Sequence, residues 1–238
     1  MVGENESIDI PVASPVGALL LHGLFGTPNE LHVLGGQIAR AGYRVRIPLL
    51  PGRGANLDAL DRLSWREVRD AALAEYEELA REHDQVVVGG LSAGATLALD
   101  LALLRPPAGL LLYAPALSIR YRAVNLAPYV WRVLRRWPMP GDGRRVPLRA
   151  IGELVGAMRR VRAGLGRIHA PALVIHSLDD PLTPASSGIL VSRELGGPVK
   201  LVLREGATHA VTAGAERDEI GALTLTWLRE LLPLAAIP

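Results

Sequence analysis

Apolar positions run along this chain in two rhythms. Unbroken stretches stand at Val16–Leu21 (VGALLL), Gln85–Leu91 (QVVVGGL), Gly109–Tyr113 (GLLLY) and Ala172–His176 (ALVIH), with shorter ones at Tyr43–Ile47 and Val199–Leu203. A strand that does not alternate with polar residues is covered on both faces, as in a parallel sheet. The segments between them have helical signals. Thr27-Pro28-Asn29-Glu30 and Ser64-Trp65-Arg66-Glu67 both have the form of a capping box, the first with proline at the first helical position. They predict helices to about Ala41 and about His83. Further helices are expected at Ser92–Leu104 and at about Ala185–Leu195 and Glu216–Leu232. Strands alternating with helices predict an α/β domain with a mostly parallel central sheet flanked by helices.

One connection breaks this rhythm. Between Pro115 and Ala170 the chain runs far longer than the dozen or so residues that a parallel crossover needs. Pro147–Gly166 supplies a crossover helix, which leaves residues 116–146 as an insertion, a small helical cap. The core is then 1–115 with 147–238. Val130, Val133, Leu134 and Trp137 fall on one helical face of the insertion, with Arg132, Arg135 and Arg136 opposite.

Composition narrows the chemistry. The chain has no cysteine, so disulfides, thiolate nucleophiles and cysteine-bound metals are excluded. It has 238 residues, no apolar window long enough to span a bilayer, and acids rather than bases near Met1. These features predict a cytoplasmic protein. A net charge of +2 conceals an asymmetry: twelve arginines lie between Arg120 and Arg167 against only Asp142 and Glu153. Such a basic face is open to attraction to an anionic lipid surface, steering of anionic substrates, contact with a second subunit, or plain solvation.

The chemistry centres on Gly90-Leu91-Ser92-Ala93-Gly94, a G-x-S-x-G motif between a buried strand and a helix. A serine on such a turn is strained and projects at the carboxyl end of the sheet, beside the free N–H groups of a helix start. Ser92 is the expected nucleophile. His209, in Gly206-Ala207-Thr208-His209 past the last strand, is the expected general base. An acid should precede it in the chain, and Asp179 and Asp180 both follow the fifth strand. His22-Gly23-Leu24-Phe25-Gly26 closes the first strand, where the amide of Leu24 can join that of Ala93 in an oxyanion hole. His32 and His83 are expected on helix surfaces, His169 before the fifth strand, and His176 in a supporting position behind the site. No histidine or carboxylate cluster has metal-ligand spacing, and Gly35-Gly36 lies inside a helix. No metal, cofactor or nucleic-acid partner is expected.

LLLHGLFGTP, Pro51-Gly52-Arg53-Gly54, GGLSAGA, APALVIHSLDDPLTP and EGATHAVTAGAERD together resemble small bacterial carboxylesterases and monoacylglycerol lipases of the α/β-hydrolase family. The resemblance covers nearly the whole chain from about residue 16. It implies the α/β-hydrolase fold and an acid four residues before the proline that opens the next helix; counting back from Pro184 gives Asp180. It also implies Leu24 and Ala93 as the oxyanion amides. Arg53 replaces the histidine usual in that loop, and the cap is shorter and richer in arginine than in this branch. The expected activity is hydrolysis of carboxylic esters of short-to-medium acyl chains, or of monoacylglycerols, through an acyl-enzyme. Acyl thioester hydrolysis and ligand binding without catalysis are the alternatives.

Overall fold

The computed structural model describes residues 6–53, 57–120, 136–138 and 145–234. Seven strands form one sheet: β1 (Ile8–Ile10), β2 (Val16–Leu21), β3 (Arg44–Ile47), β4 (Gln85–Leu91), β5 (Gly109–Tyr113), β8 (Ala172–Ser177) and β9 (Val199–Arg204). Their order is β1-β3-β2-β4-β5-β8-β9. Only β1, the edge strand, runs antiparallel, pairing Ile8 with Ile47 of β3. All the other pairs are parallel. The segment before Pro11 has too few residues to show a period, and β1 was not foreseen.

The central strands alternate between two cores although their sequences do not. In β2, Leu19 and Leu21 join the cluster beneath one face while Ala18 and Leu20 join the other. Val86 and Val88 of β4 oppose Val87 in the same way. The pleat sends successive side chains to opposite faces, so a doubly covered strand has to be apolar throughout. Helices α1 (Asn29–Arg40) and α7 (Arg217–Leu231) cover one face through Leu31, Leu34, Ile38, Ile220 and Trp227. The other face carries α3 (Trp65–Glu82), α4 (Ala93–Ala102), α5 (Leu148–Gly164) and α6 (Ser186–Glu194). Each fully buried leucine in these layers contributes about 1.5–3 kcal/mol.

Ser64 caps α3 as expected: its hydroxyl accepts from Glu67 N–H at 3.3 Å, and Glu67 Oε2 accepts from Ser64 N–H at 2.8 Å. A short helix that was not anticipated, α2 (Leu57–Arg62), places Asp61 at the start of α5. The Asp61 carboxylate accepts from the N–H groups of Arg149 and Ala150 at 2.9 and 3.3 Å. In turn Glu153 of α5 accepts from Trp65 N–H at 3.0 Å. Two helix starts that carry partial positive charge are thus each met by an acid from a different helix.

The insertion differs from expectation in one respect. Arg136–Pro138 and Arg145–Pro147 are the strands β6 and β7 of a small antiparallel ribbon, with Trp137 opposite Val146. Trp137 is therefore extended rather than on a helical face. Pro138 and Pro140 cannot continue a helix, and Gly141-Asp142-Gly143 favours a turn. Val130, Val133, Leu134, Arg132 and Arg135 lie outside the described residues. Among the described residues no helix is long and apolar enough to cross a membrane.

Candidate active site

The turn from β4 into α4 is built around a strained serine. Ser92 has φ 57° and ψ −116°, a conformation costing about 1–3 kcal/mol in a residue with a side chain. The surrounding chain holds it there. Ser92 N–H donates to Tyr113 O at 2.9 Å, and Ser92 O accepts from the amides of Ala95, Thr96 and Ala116 at 3.1–3.2 Å. Both flanking glycines are required sterically. A Cβ on Gly90 would run into the carbonyl of Gly94, and one on Gly94 would overlap Leu21 O. The hydroxyl therefore emerges at the carboxyl end of the sheet, with Ala93 opening the helix.

Gly23 lies beside this turn; a Cβ built on it would be 3.9 Å from Ser92 Cβ. Leu24 is buried in the same loop. His22 anchors the loop from below: its Nδ1–H donates to Gly23 O at 3.0 Å, and its Nε2 accepts from Leu50 N–H at 3.1 Å. Both ring nitrogens are used only if the ring is neutral. Burial, opposed by the bond to Gly23, lowers its pKa to about 4. Arg53 braces the loop from the other side, donating from Nε to Leu24 O at 3.1 Å and from Nη1 to Pro51 O at 2.7 Å. Its guanidinium is buried, which lowers its pKa to about 10.

The loops after β8 and β9 bring Asp180 and His209 together. Asp180 Oδ2 accepts from His209 Nδ1–H at 2.7 Å, and Asp180 is fully buried. Its Oδ1 accepts from the N–H groups of Leu182 and Thr183 at 2.8 and 2.9 Å, and Oδ2 also accepts from the Thr183 hydroxyl at 2.9 Å. Burial pushes this carboxyl up. Hydrogen bonds from His176, His209 and the Thr183 and Leu182 amides outweigh it and hold the group below the usual carboxylate range. His176, fully buried, sits behind the acid with Nε2 3.5 Å from Asp180 Oδ2. Asp179 is exposed and accepts from Gly206 N–H at 2.9 Å, apart from the histidine pair. Arg120 Nε donates to Asp180 O at 2.6 Å, joining the start of the insertion to this loop.

Several participants were not read from sequence. Thr183 was missed, although Asp-Pro-Leu-Thr is a spacing at which an aspartate closes a turn on the amides two and three residues ahead. His83 was expected on a surface, yet its ring is largely buried over Gly17 and its Nδ1–H donates to Ser14 O at 2.8 Å. The capping box at Thr27–Glu30 did not form. Pro28 takes the N-cap position without a side-chain bond, and the Glu30 carboxylate reaches back to Gly23 N–H at 3.1 Å instead. Proline has no N–H and imposes its own φ, which shifts the helix start by a residue.

Serine on a strained strand-to-helix turn, and an acid–histidine pair on two later loops at the same sheet edge, match the layout of one hydrolase fold. Residues 18–220 match the alpha/beta hydrolase family. The chain belongs to that family. Among curated proteins, this α/β-hydrolase is 27% identical over 218 residues to the thermostable monoacylglycerol lipase of Bacillus sp. (strain H-257), covering 87% of each chain. It is 23% identical over 230 residues to the carboxylesterase of Bacillus subtilis (strain 168), covering 90% of this chain and 92% of that one. Among solved structures, a metagenome-derived lipolytic enzyme of the LipS and LipT pair superposes with a TM-score of 0.88 at 24% identity, covering 95% and 98% of the two chains. A soluble variant of the monoglyceride lipase of Saccharomyces cerevisiae superposes with a TM-score of 0.82 at 14% identity, covering 94% and 91%. These two likenesses speak for the fold.

Proposed function

We propose that this α/β-hydrolase cleaves carboxylic esters of short-to-medium acyl chains, including monoacylglycerols, with Ser92 as nucleophile, His209 as general base and Asp180 as its orienting acid. The single observation that carries the reading is the 2.7 Å bond from His209 Nδ1–H to buried Asp180, on loops at the sheet edge where Ser92 emerges. With Nδ1 committed to Asp180, Nε2 is the nitrogen left to take a proton. His209 accepts the Ser92 proton as Oγ attacks the ester carbonyl. The amides of Leu24 and Ala93 receive the oxyanion, each worth about 10²–10³ in rate. The C–O bond then breaks, and the alcohol leaves with the proton from His209. Water attacks the acyl-enzyme by the same route in reverse, releasing the acid and restoring Ser92.

The substrate side of the proposal rests on apolar chemistry at that edge. Phe25, Leu178 and Leu182 are exposed on the loops that carry Leu24 and Asp180, by 59%, 39% and 45%. Three exposed large apolar side chains on the loops of one site suit an acyl chain or a lipid surface better than a polar ester. We further propose that residues 116–146 form a small cap on this edge and that its arginines give weak attraction to anionic lipid. The relatives named above as monoacylglycerol lipase and carboxylesterase support the same substrate class.

The test is hydrolysis of nitrophenyl esters by wild type and Ser92→Ala, followed by ester, thioester and monoacylglycerol series of increasing acyl length. Turnover lost in Ser92→Ala, with esters favoured over matched thioesters, is the expected result. Equal slow turnover by both proteins would make the fold a binding scaffold, and a thioester preference would move the activity to thioesterase.

A further inference from the structure

The Glu30 carboxylate leaves its own helix and enters the loop beside the nucleophile. Its Oε2 accepts from Gly23 N–H at 3.1 Å, one residue before Leu24. The loop is shaped to admit it. A Cβ on Gly26 would collide with the Glu30 carboxyl group, and one on Gly23 would stand 3.3 Å from its Oε2. The main chain of Glu30 is tied in the opposite direction: its carbonyl accepts from Thr212 Oγ1 at 2.9 Å, and Thr212 lies three residues beyond His209. Burial pushes the carboxyl up, while the Gly23 bond and the nearby His209 imidazole pull it back. Glu30 is half-buried, and drawing a carboxylate even part-way out of water is costly unless its bonds are specific.

Resting on the hydrolase reading, we propose that Glu30 is a positioning residue that fixes the Leu24 amide of the oxyanion hole relative to His209, by holding Gly23 with its side chain and the histidine loop with its carbonyl. An oxyanion amide works only if it is aimed beforehand at where charge will develop. A peptide unit adjacent to that amide, free to rotate, would lose much of that aim. The role requires an acceptor at Oε2 and does not require a charge, so glutamine should serve.

The experiment compares wild type, Glu30→Ala, Glu30→Gln and Thr212→Val with a nitrophenyl butyrate substrate and phenylboronic acid, whose serine adduct puts a tetrahedral oxygen in the oxyanion hole. Glu30→Ala should lower kcat by about 10- to 100-fold with KM within about twofold, and weaken the boronate by the same factor as kcat. Glu30→Gln should stay within about threefold of wild type in both. Wild-type kcat and boronate affinity in Glu30→Ala would overturn the proposal. So would Glu30→Gln as impaired as Glu30→Ala, because charge and not the bond would then matter. If Glu30→Ala does not fold, Thr212→Val decides: kcat and boronate affinity falling together by about 3- to 10-fold supports the tether, and wild-type values overturn it. A wild type that neither hydrolyses the ester nor binds the boronate refutes the hydrolase reading itself, whereas a competent wild type with an indifferent Glu30→Ala refutes only the role of Glu30.

Discussion

Replacing Asp180 by asparagine changes one atom, and the structure dictates which way the amide must face. Asp180 Oδ1 accepts two main-chain N–H groups, from Leu182 and Thr183. Turning the NH2 toward them would set three donors against one another in a fully buried site, at about 1–3 kcal/mol for each donor left unpaired. The oxygen therefore stays on that side and the NH2 takes the position of Oδ2, where Thr183 Oγ1 can reverse its bond and accept. His209 then faces a donor through Nδ1. It must present Nδ1 unprotonated and carry its hydrogen on Nε2, the tautomer that cannot take a proton from Ser92. The loss of a correctly oriented base in a serine triad is about 10⁴ in kcat, or about 5.5 kcal/mol at 1.36 kcal/mol per tenfold. KM should hold within about twofold, since Asp180 is fully buried and away from any bound ester. Asp179→Asn is the control. Its single bond, from Gly206 N–H, can be kept by the amide oxygen, and activity should stay within about twofold. Steady-state kinetics on a nitrophenyl ester at neutral pH reads both. Asp180→Asn retaining more than about a tenth of wild-type kcat, or Asp179→Asn proving the damaging change, would refute the reasoning.

Further outcomes follow from the same contacts. Gly94→Ala forces backbone at Leu21 and His22 to move and should cost about 3 kcal/mol or more in urea unfolding, whereas Gly156→Ala, where a Cβ meets only Arg160 Nη1 at 3.7 Å, should stabilise by about 0.5–1 kcal/mol. His22 is held neutral in the folded chain, lowered from 6.5 to about 4, so the unfolded chain binds the extra proton first. Stability is then fully present above about pH 6.5 and declines by about 3 kcal/mol as pH falls to about 4, a slope that His22→Gln should flatten in denaturation measured across that range. Asp180, held below its usual range, acts lower still: its contribution is present above about pH 4 and is lost on further acidification, so Asp180→Asn should remove acid sensitivity only there. Trp65→Phe takes the indole donor from buried Asp100, which it reaches at 2.7 Å, and should cost about 1–3 kcal/mol in the same assay.

The sequence makes legible whatever repeats locally. The buried strands show because two covered faces demand unbroken apolar runs, and G-x-S-x-G shows because both glycines answer to close backbone contacts. The bounds of β2, β4 and β5 coincide with their apolar runs. Edge and insertion elements were opaque for the opposite reason. The strands Ile8–Ile10, Arg136–Pro138 and Arg145–Pro147 have three residues each, too few to show a hydrophobic period. The acid pair showed the limit within the site itself. Hydrophobic period does not separate Asp179 from Asp180; the spacing to Pro184 that the family resemblance implies points to Asp180, while its burial and its bond to His209 depend on how two distant loops meet. Glu30 was misread for a similar cause: a capping pattern states what a side chain can accept from, and the fold offered Gly23 instead.

The most direct measurement is covalent labelling with a nitrophenyl phosphonate, followed by intact mass and peptide mapping. One phosphonyl group per chain, on Ser92 alone, with labelling abolished in Ser92→Ala and slowed by orders of magnitude in His209→Ala, is the result expected of a serine activated by that histidine. A label on another side chain, or equal labelling of Ser92 with and without the imidazole at 209, would contradict it.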